Sequence, residues 1–132
     1  MADILIVDDD PLVREYLSIM VKTDGHVAAS AAHGGHAIEM MSANHYDLAL
    51  VDIFMPEKEG IETICELRER FPVTRIVAMS AGCKTMPSSQ ALDFAICFGA
   101  DDVLPKPFSL DDLKAVVRQT LGTSAPTAAR GS

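Results

Sequence analysis

Four acids, one hydroxyl and one ammonium stand where short aliphatic runs of this chain end. Asp8, Asp9 and Asp10 follow ILIV, Asp52 follows LALV, Ser80 follows IVAM, and Lys106 comes just after VLP. If those runs are neighbouring strands, their far ends share one edge and the six side chains converge from distant points in the sequence. Two carboxylates ~4 Å apart repel by about 4 kcal/mol at an effective dielectric of 20. Such a cluster is relieved by protonation, by the lysine or by a metal ion. Hard oxygen ligands on rigid strand ends suit Mg²⁺, which keeps several waters and readily shares a phosphate oxygen.

The elements that must position these groups follow from periodicity. Residues 4–7, 48–51 and 76–79 are continuous apolar runs, the pattern of strands buried on both faces. Residues 27–31 form a weaker strand of small side chains, and 103–104 a short fifth one closed by Pro105 and Pro107. Between them lie segments of helical spacing. Pro11 opens the first, with Leu12, Val13, Tyr16, Leu17, Met20 and Val21; Gly34-Gly35 opens the second, with Ala37, Ile38 and Met41. A third covers 60–71 with Ile61, Ile64, Cys65 and Leu67 inward, and a fourth covers 89–98 with Leu92, Ala95 and Phe98 inward. The last begins at a capping box of Ser109 and Asp112 and continues through Leu113, Val116, Val117 and Leu121. Strand and helix in alternation predict an α/β domain with a parallel sheet, whose site lies at the carboxyl ends of the strands.

Length and charge bound the function. The 132 residues suffice for one domain, expected over 1–121, with 122–132 as a flexible tail that has almost nothing to bury. Eleven Lys plus Arg against 19 Asp plus Glu give a net charge of −8. That argues against direct nucleic-acid or membrane binding, both of which need clustered positive charge. Cys65, Cys83 and Cys97 form neither a zinc motif nor an even disulfide set, and the start has neither a signal peptide nor a membrane span. A cytoplasmic home is the expectation.

Four pieces of the chain, ILIVDDDPLVREYL, DLALVDIFMPEKEG, VAMSA and GADDVLPKPF, together resemble the receiver domain of two-component response regulators. The spacings fit as well: 43 residues from Asp9 to Asp52, 28 on to Ser80 and 26 on to Lys106. The resemblance covers about residues 3–121. It implies a flavodoxin-like, doubly wound sheet of five parallel strands in the order 2-1-3-4-5, with helices on both faces. It further implies that Asp52 is the phosphoacceptor, attacking a phosphohistidine of a partner histidine kinase or phosphotransfer protein. Asp8 and Asp9 correspond to the acidic pair that binds Mg²⁺ (or Mn²⁺), Asp9 and Asp52 directly and Asp8 mainly through water, with the backbone carbonyl of Phe54 as a further ligand. Lys106 corresponds to the lysine that pairs with the phosphoryl oxygens, and its bond to Pro107 is cis in the family. Ser80 corresponds to the hydroxyl that turns to the phosphoryl group, beside the small Ala81.

On this reading the chain is a signalling switch and no enzyme beyond its own phosphotransfer and dephosphorylation. It departs from the family at the switch position, where Val103 replaces the usual aromatic, and the coupling through that ring is expected to weaken. An output protein or a homodimer is expected on the surface of the 89–98 helix, the fifth strand and the last helix, because Phe94, Ile96 and Cys97 lie partly outside the inward stripe. Two other readings stand beside this one. The first is a receiver-shaped interaction module working unphosphorylated. The second is a phosphatase of the haloacid dehalogenase type, whose Asp-x-Asp spacing fits Asp8 and Asp10 but not Asp52 and Phe54.

The remaining candidates have plainer roles. Asp10 is expected to cap the helix at Pro11. His33 and His36 flank a Gly-Gly turn and are expected to be exposed, while His26 and His45 have no evident partner. Met40, Met41 and Met79 read as core filler, Cys65 as a small core residue and Cys83 as a loop thiol.

Overall fold

Alternation of side chains along a strand sends successive residues to opposite faces of a sheet. Strand β1 (Asp3–Val7) uses it fully: Leu5 and Val7 enter one core, Ile4 and Ile6 the other, and all four are buried. β3 (Leu48–Asp52) and β4 (Arg75–Ser80) do the same and are buried along their whole length. The chain is a computed structural model that describes residues 1–53, 60–80, 93, 95–96 and 98–122. Its remaining elements are α1 (Pro11–Thr23), β2 (Val27–Ala31), α2 (Gly34–Ala43), α3 (Gly60–Arg70), β5 (Asp102–Pro105) and α4 (Leu110–Leu121).

The five strands are parallel in the order β2-β1-β3-β4-β5, as expected. β2 is an edge strand of small side chains, with only Ala31 buried. One core lies under α2 and α3, with Ile38, Met41, Ile64 and Leu67 packed beside Leu5, Val51 and Ile76. The other lies under α1 and α4, with Leu17, Met20, Leu113 and Val117 packed beside Ile6, Leu50 and Met79. Each fully buried Leu or Ile contributes about 1.5–3 kcal/mol. Because α1 covers one face and α2 the other, the chain leaves β1 toward β2 on one side and reaches β3 on the opposite side. The carboxyl ends of β1 and β3 therefore flank an open crevice. No described helix is long and apolar enough to cross a membrane.

Local signals set the helix ends. Asp10 caps α1 by accepting from the Leu12 N–H at 2.9 Å, with Pro11 in the first turn. Ser109 and Asp112 exchange side-chain and backbone hydrogen bonds at the start of α4, completing the capping box. Gly99, at φ +124°, makes the turn before β5. Of the expected 89–98 helix, the start, Leu92, Phe94 and Cys97 lie outside the described residues.

Three expectations change. Phe98 is not inward but about half exposed; Ala95 and Ala100 fill that part of the core instead. Leu12 and Tyr16 are exposed at 74% and 56%, and with Ile19 at 58% they form an outward stripe of α1. The inward stripe is Leu17, Met20 and Val21. His26 and His45 do have partners. His26 Nδ1 accepts from the Ala2 N–H at 3.0 Å and its Nε2 lies 3.3 Å from Asp24, while His45 Nε2 lies 3.2 Å from Asp47.

Candidate metal and phosphoacceptor site

The carboxyl edge of the sheet brings Asp8, Asp9, Asp52, Ser80 and Lys106 together. Asp8 is the first residue beyond β1 and is buried, its N–H donating to the Ala31 carbonyl of β2 at 3.2 Å. Its carboxylate is engaged on both sides. Oδ1 accepts from the Asp10 N–H at 3.0 Å, and Oδ2 lies 3.1 Å from the Lys106 ammonium. Asp52 is the last residue of β3, also buried, with an oxygen 3.7 Å from the same ammonium. Asp9 is exposed at the crevice mouth. Lys106 reaches across from the turn after β5, where its N–H donates to the Ser80 carbonyl at 2.9 Å and its bond to Pro107 is cis. Ser80, at the end of β4, is fully buried.

One oxygen each of Asp8, Asp9 and Asp52 lies within 4.8 Å of the others. Ligand oxygens around an octahedral Mg²⁺ sit about 2.1 Å from the ion, and therefore about 3–4 Å from one another. The three carboxylates fit such an ion with small side-chain adjustments. Both Asp8 oxygens are engaged and one Asp52 oxygen faces Lys106, while Asp9 carries the most exposed of the three carboxylates. Phe54 and Ala81 lie outside the described residues. Val103 is in mid-β5, away from this edge, paired in register with Ala78 and packed half-buried against the core under α2 and α3.

Two contributors were not singled out from sequence. Gly60, at the start of α3, packs against the end of β3: its N–H donates to the Ile53 carbonyl at 2.8 Å, and a Cβ there would overlap the Asp52 carbonyl oxygen. A glycine eight residues after an acid is the only trace of this in the sequence. Arg14 donates from Nη1 to the Asp8 carbonyl at 2.8 Å. Helical periodicity gives no reason to single out an arginine in the first turns of α1.

A doubly wound parallel sheet with an acidic cluster and a lysine at its β1/β3 switch point defines the class: a flavodoxin-like domain with a charged site at its strand ends. The sequence matches the family model of the response regulator receiver domain over residues 4–118. The response regulator MprA of Mycobacterium sp. (strain KMS) is 34% identical over 123 residues, covering 93% of this chain and 52% of that protein. The chain thus spans about half the length of the curated relatives it matches. Among solved structures, the receiver domain of NtrX from Brucella abortus superposes with a TM-score of 0.85 at 27% identity, covering 92% of this chain and 100% of that one. A CheY-like receiver domain protein from Methanospirillum hungatei JF-1 gives 0.83 at 25%, covering 92% and 94%. The chain belongs to the response regulator receiver domain family of two-component systems.

Proposed function

We propose that the chain accepts a phosphoryl group on Asp52 from a histidine kinase or a phosphotransfer protein, assisted by Mg²⁺ or Mn²⁺, and signals in the cytoplasm through protein contacts. The observation that carries this is the convergence of the Asp8, Asp9 and Asp52 oxygens within 4.8 Å, with Lys106 3.1 Å from Asp8 and 3.7 Å from Asp52.

Phosphoryl transfer needs positioning and charge neutralisation more than covalent help. An Asp52 oxygen attacks the phosphorus of the phosphohistidine; the O–P bond forms as the P–N bond breaks, and the electron pair returns to the imidazole. Asp9 and Asp52, with Asp8 beside them, would hold a divalent cation, which would supply positive charge to the phosphoryl group. Lys106 stands where its ammonium can turn from the carboxylates to the incoming phosphoryl group, and Ser80 supplies a hydroxyl donor beside it. Turnover is confined to this transfer and the later hydrolysis of the acyl phosphate.

The donor's approach is supported by the outward stripe of α1, Leu12, Tyr16 and Ile19, and by an apolar groove that Val13, Tyr16, Pro107 and Phe108 line as far as Lys106. For the output contact, Ile96 and Phe98, each about half exposed, support the face of the 89–98 segment, β5 and α4.

Incubation with acetyl phosphate and Mg²⁺, read by intact mass, tests the central claim. Wild type should gain one phosphoryl group and Asp52→Asn none. No gain in wild type favours an interaction module working unphosphorylated, and steady turnover of a generic phosphate ester favours a phosphatase.

A further inference from the structure

Arg14 sits in the most acidic stretch of the chain, with Asp8, Asp9, Asp10 and Glu15 near it in sequence. Among the described residues its guanidinium nevertheless forms no ion pair. It donates to a main-chain carbonyl, that of Asp8, at 2.8 Å, while its own N–H donates to the Asp10 carbonyl at 3.0 Å. The second bond is the first main-chain bond of α1, so the side chain's own contribution is its hold on the carbonyl before Asp9.

Asp9 needs such support more than its neighbours do. Asp8 is fixed by Ala31, Asp10 and Lys106, and Asp10 by its cap on α1, whereas Asp9 is exposed. The aim of its carboxylate depends on the backbone of the two residues that flank it. Groups that orient metal ligands without touching the metal commonly change affinity by roughly 10–100-fold when removed.

We propose that Arg14 is a positioning residue for the metal site, clamping the β1–α1 turn so that Asp9 faces Asp52; this rests on the cation-binding reading above. Position and charge act here in opposite directions. A guanidinium near the site repels a cation, so if charge alone mattered its removal would tighten binding. If Arg14 positions Asp9, removal loosens binding.

Mn²⁺ binding followed by electron paramagnetic resonance reads that sign without phosphorylation. For Arg14→Met the dissociation constant should rise roughly tenfold. Arg14→Lys, which can still donate to the Asp8 carbonyl, should recover most of the loss. With acetyl phosphate, the half-saturating Mg²⁺ concentration of Arg14→Met should rise by the same factor, while the rate at saturating Mg²⁺ stays within about twofold of wild type; a general structural defect would lower both. Unchanged or tighter Mn²⁺ binding overturns the proposal while the metal site itself stands. Failure of wild type to bind Mn²⁺ overturns both. If Arg14→Met does not fold, Arg14→Ala, which also lacks the donor to the Asp8 carbonyl, carries the test: a rise in the dissociation constant supports the clamp, and wild-type or tighter binding overturns it.

Discussion

The two ends of this sheet treat charge in opposite ways. At the amino ends of β4 and β5, the Arg68 guanidinium donates to the carbonyls of Gly99, Pro72 and Thr74 at 2.9, 3.0 and 3.2 Å and pairs with the Asp101 carboxylate. Asp101 in turn accepts from the Ile76 N–H at 2.9 Å. One ion pair thereby ties the end of α3, the turn into β4 and the turn into β5, and its carboxylate is almost wholly buried. At the carboxyl ends, three carboxylates cluster and two of them, Asp8 and Asp52, face the Lys106 ammonium. The first end is complete within the chain; the second keeps an acidic cluster that could hold a metal ion. Stability and function are thus separated along the strands, about five residues apart.

The contrast is broken most severely at the complete end. Removing one partner of a buried pair leaves an uncompensated charge, at a cost of about 3–5 kcal/mol. That is a large share of the 5–15 kcal/mol typical of a domain. Asp101→Asn should therefore lower unfolding free energy in urea by about that amount, while the folded fraction still takes phosphate on Asp52. A loss below 1 kcal/mol would show that the lock is ornamental. Next comes Gly60→Ala. Its Cβ overlaps the Asp52 carbonyl, and such overpacking costs about 1–3 kcal/mol. Here stability and phosphorylation rate should fall together, because the displaced backbone carries Asp52, the proposed nucleophile.

At the carboxyl end the sign reverses. Without divalent cation, Asp52→Asn should raise stability by about 1 kcal/mol, since relief of two repulsions outweighs the loss of one contact with Lys106. Mg²⁺ at ten times its dissociation constant should stabilise wild type by about 1.4 kcal/mol. Asp52→Asn should gain markedly less at the same concentration. Urea titrations with chelator and with Mg²⁺ measure both; a mutant less stable than wild type under chelator would contradict the comparison.

Much of this was legible because the strand runs end on the residues that matter. ILIV, LALV and IVAM could hardly be anything but buried strands, and parallel pairing then brings Asp8, Asp52 and Ser80 to one edge. What escaped the sequence depends on contacts between elements. Arg14 bonding to a carbonyl, His26 receiving the Ala2 N–H and Gly60 abutting Asp52 are set by angles and distances that no spacing encodes. On α1, apolar residues cover too wide an arc for periodicity to separate Leu12 and Tyr16, which face out, from Leu17 and Met20, which face in. At Phe98 the expectation of burial failed because the turn at Gly99 leaves room in the core for Ala95 and Ala100 rather than a ring.

The smallest effect is expected within β5 itself. Val103 lies in mid-β5, opposite Ala78 and half-buried against the core, two residues before the end of the strand. Receiver domains of this type usually carry an aromatic there, whose ring exchanges between inward and outward positions as the site fills. Valine is branched at Cβ and stiff at χ1, with one rotamer strongly favoured in many settings and far less surface to move. Filling the site with a beryllofluoride mimic and Mg²⁺ should then shift the amide resonances of Asp52, Ser80 and Lys106 strongly, and those of Asp102, Val103 and Leu104 only weakly. Val103→Tyr sharpens the test, since a ring at this position should enlarge the shifts in β5 while leaving those at Asp52 unchanged. Shifts at Val103 as large as those at Asp52 in the native chain would mean that the edge communicates with β5 through the backbone, by the Lys106 N–H to Ser80 carbonyl bond, and needs no ring.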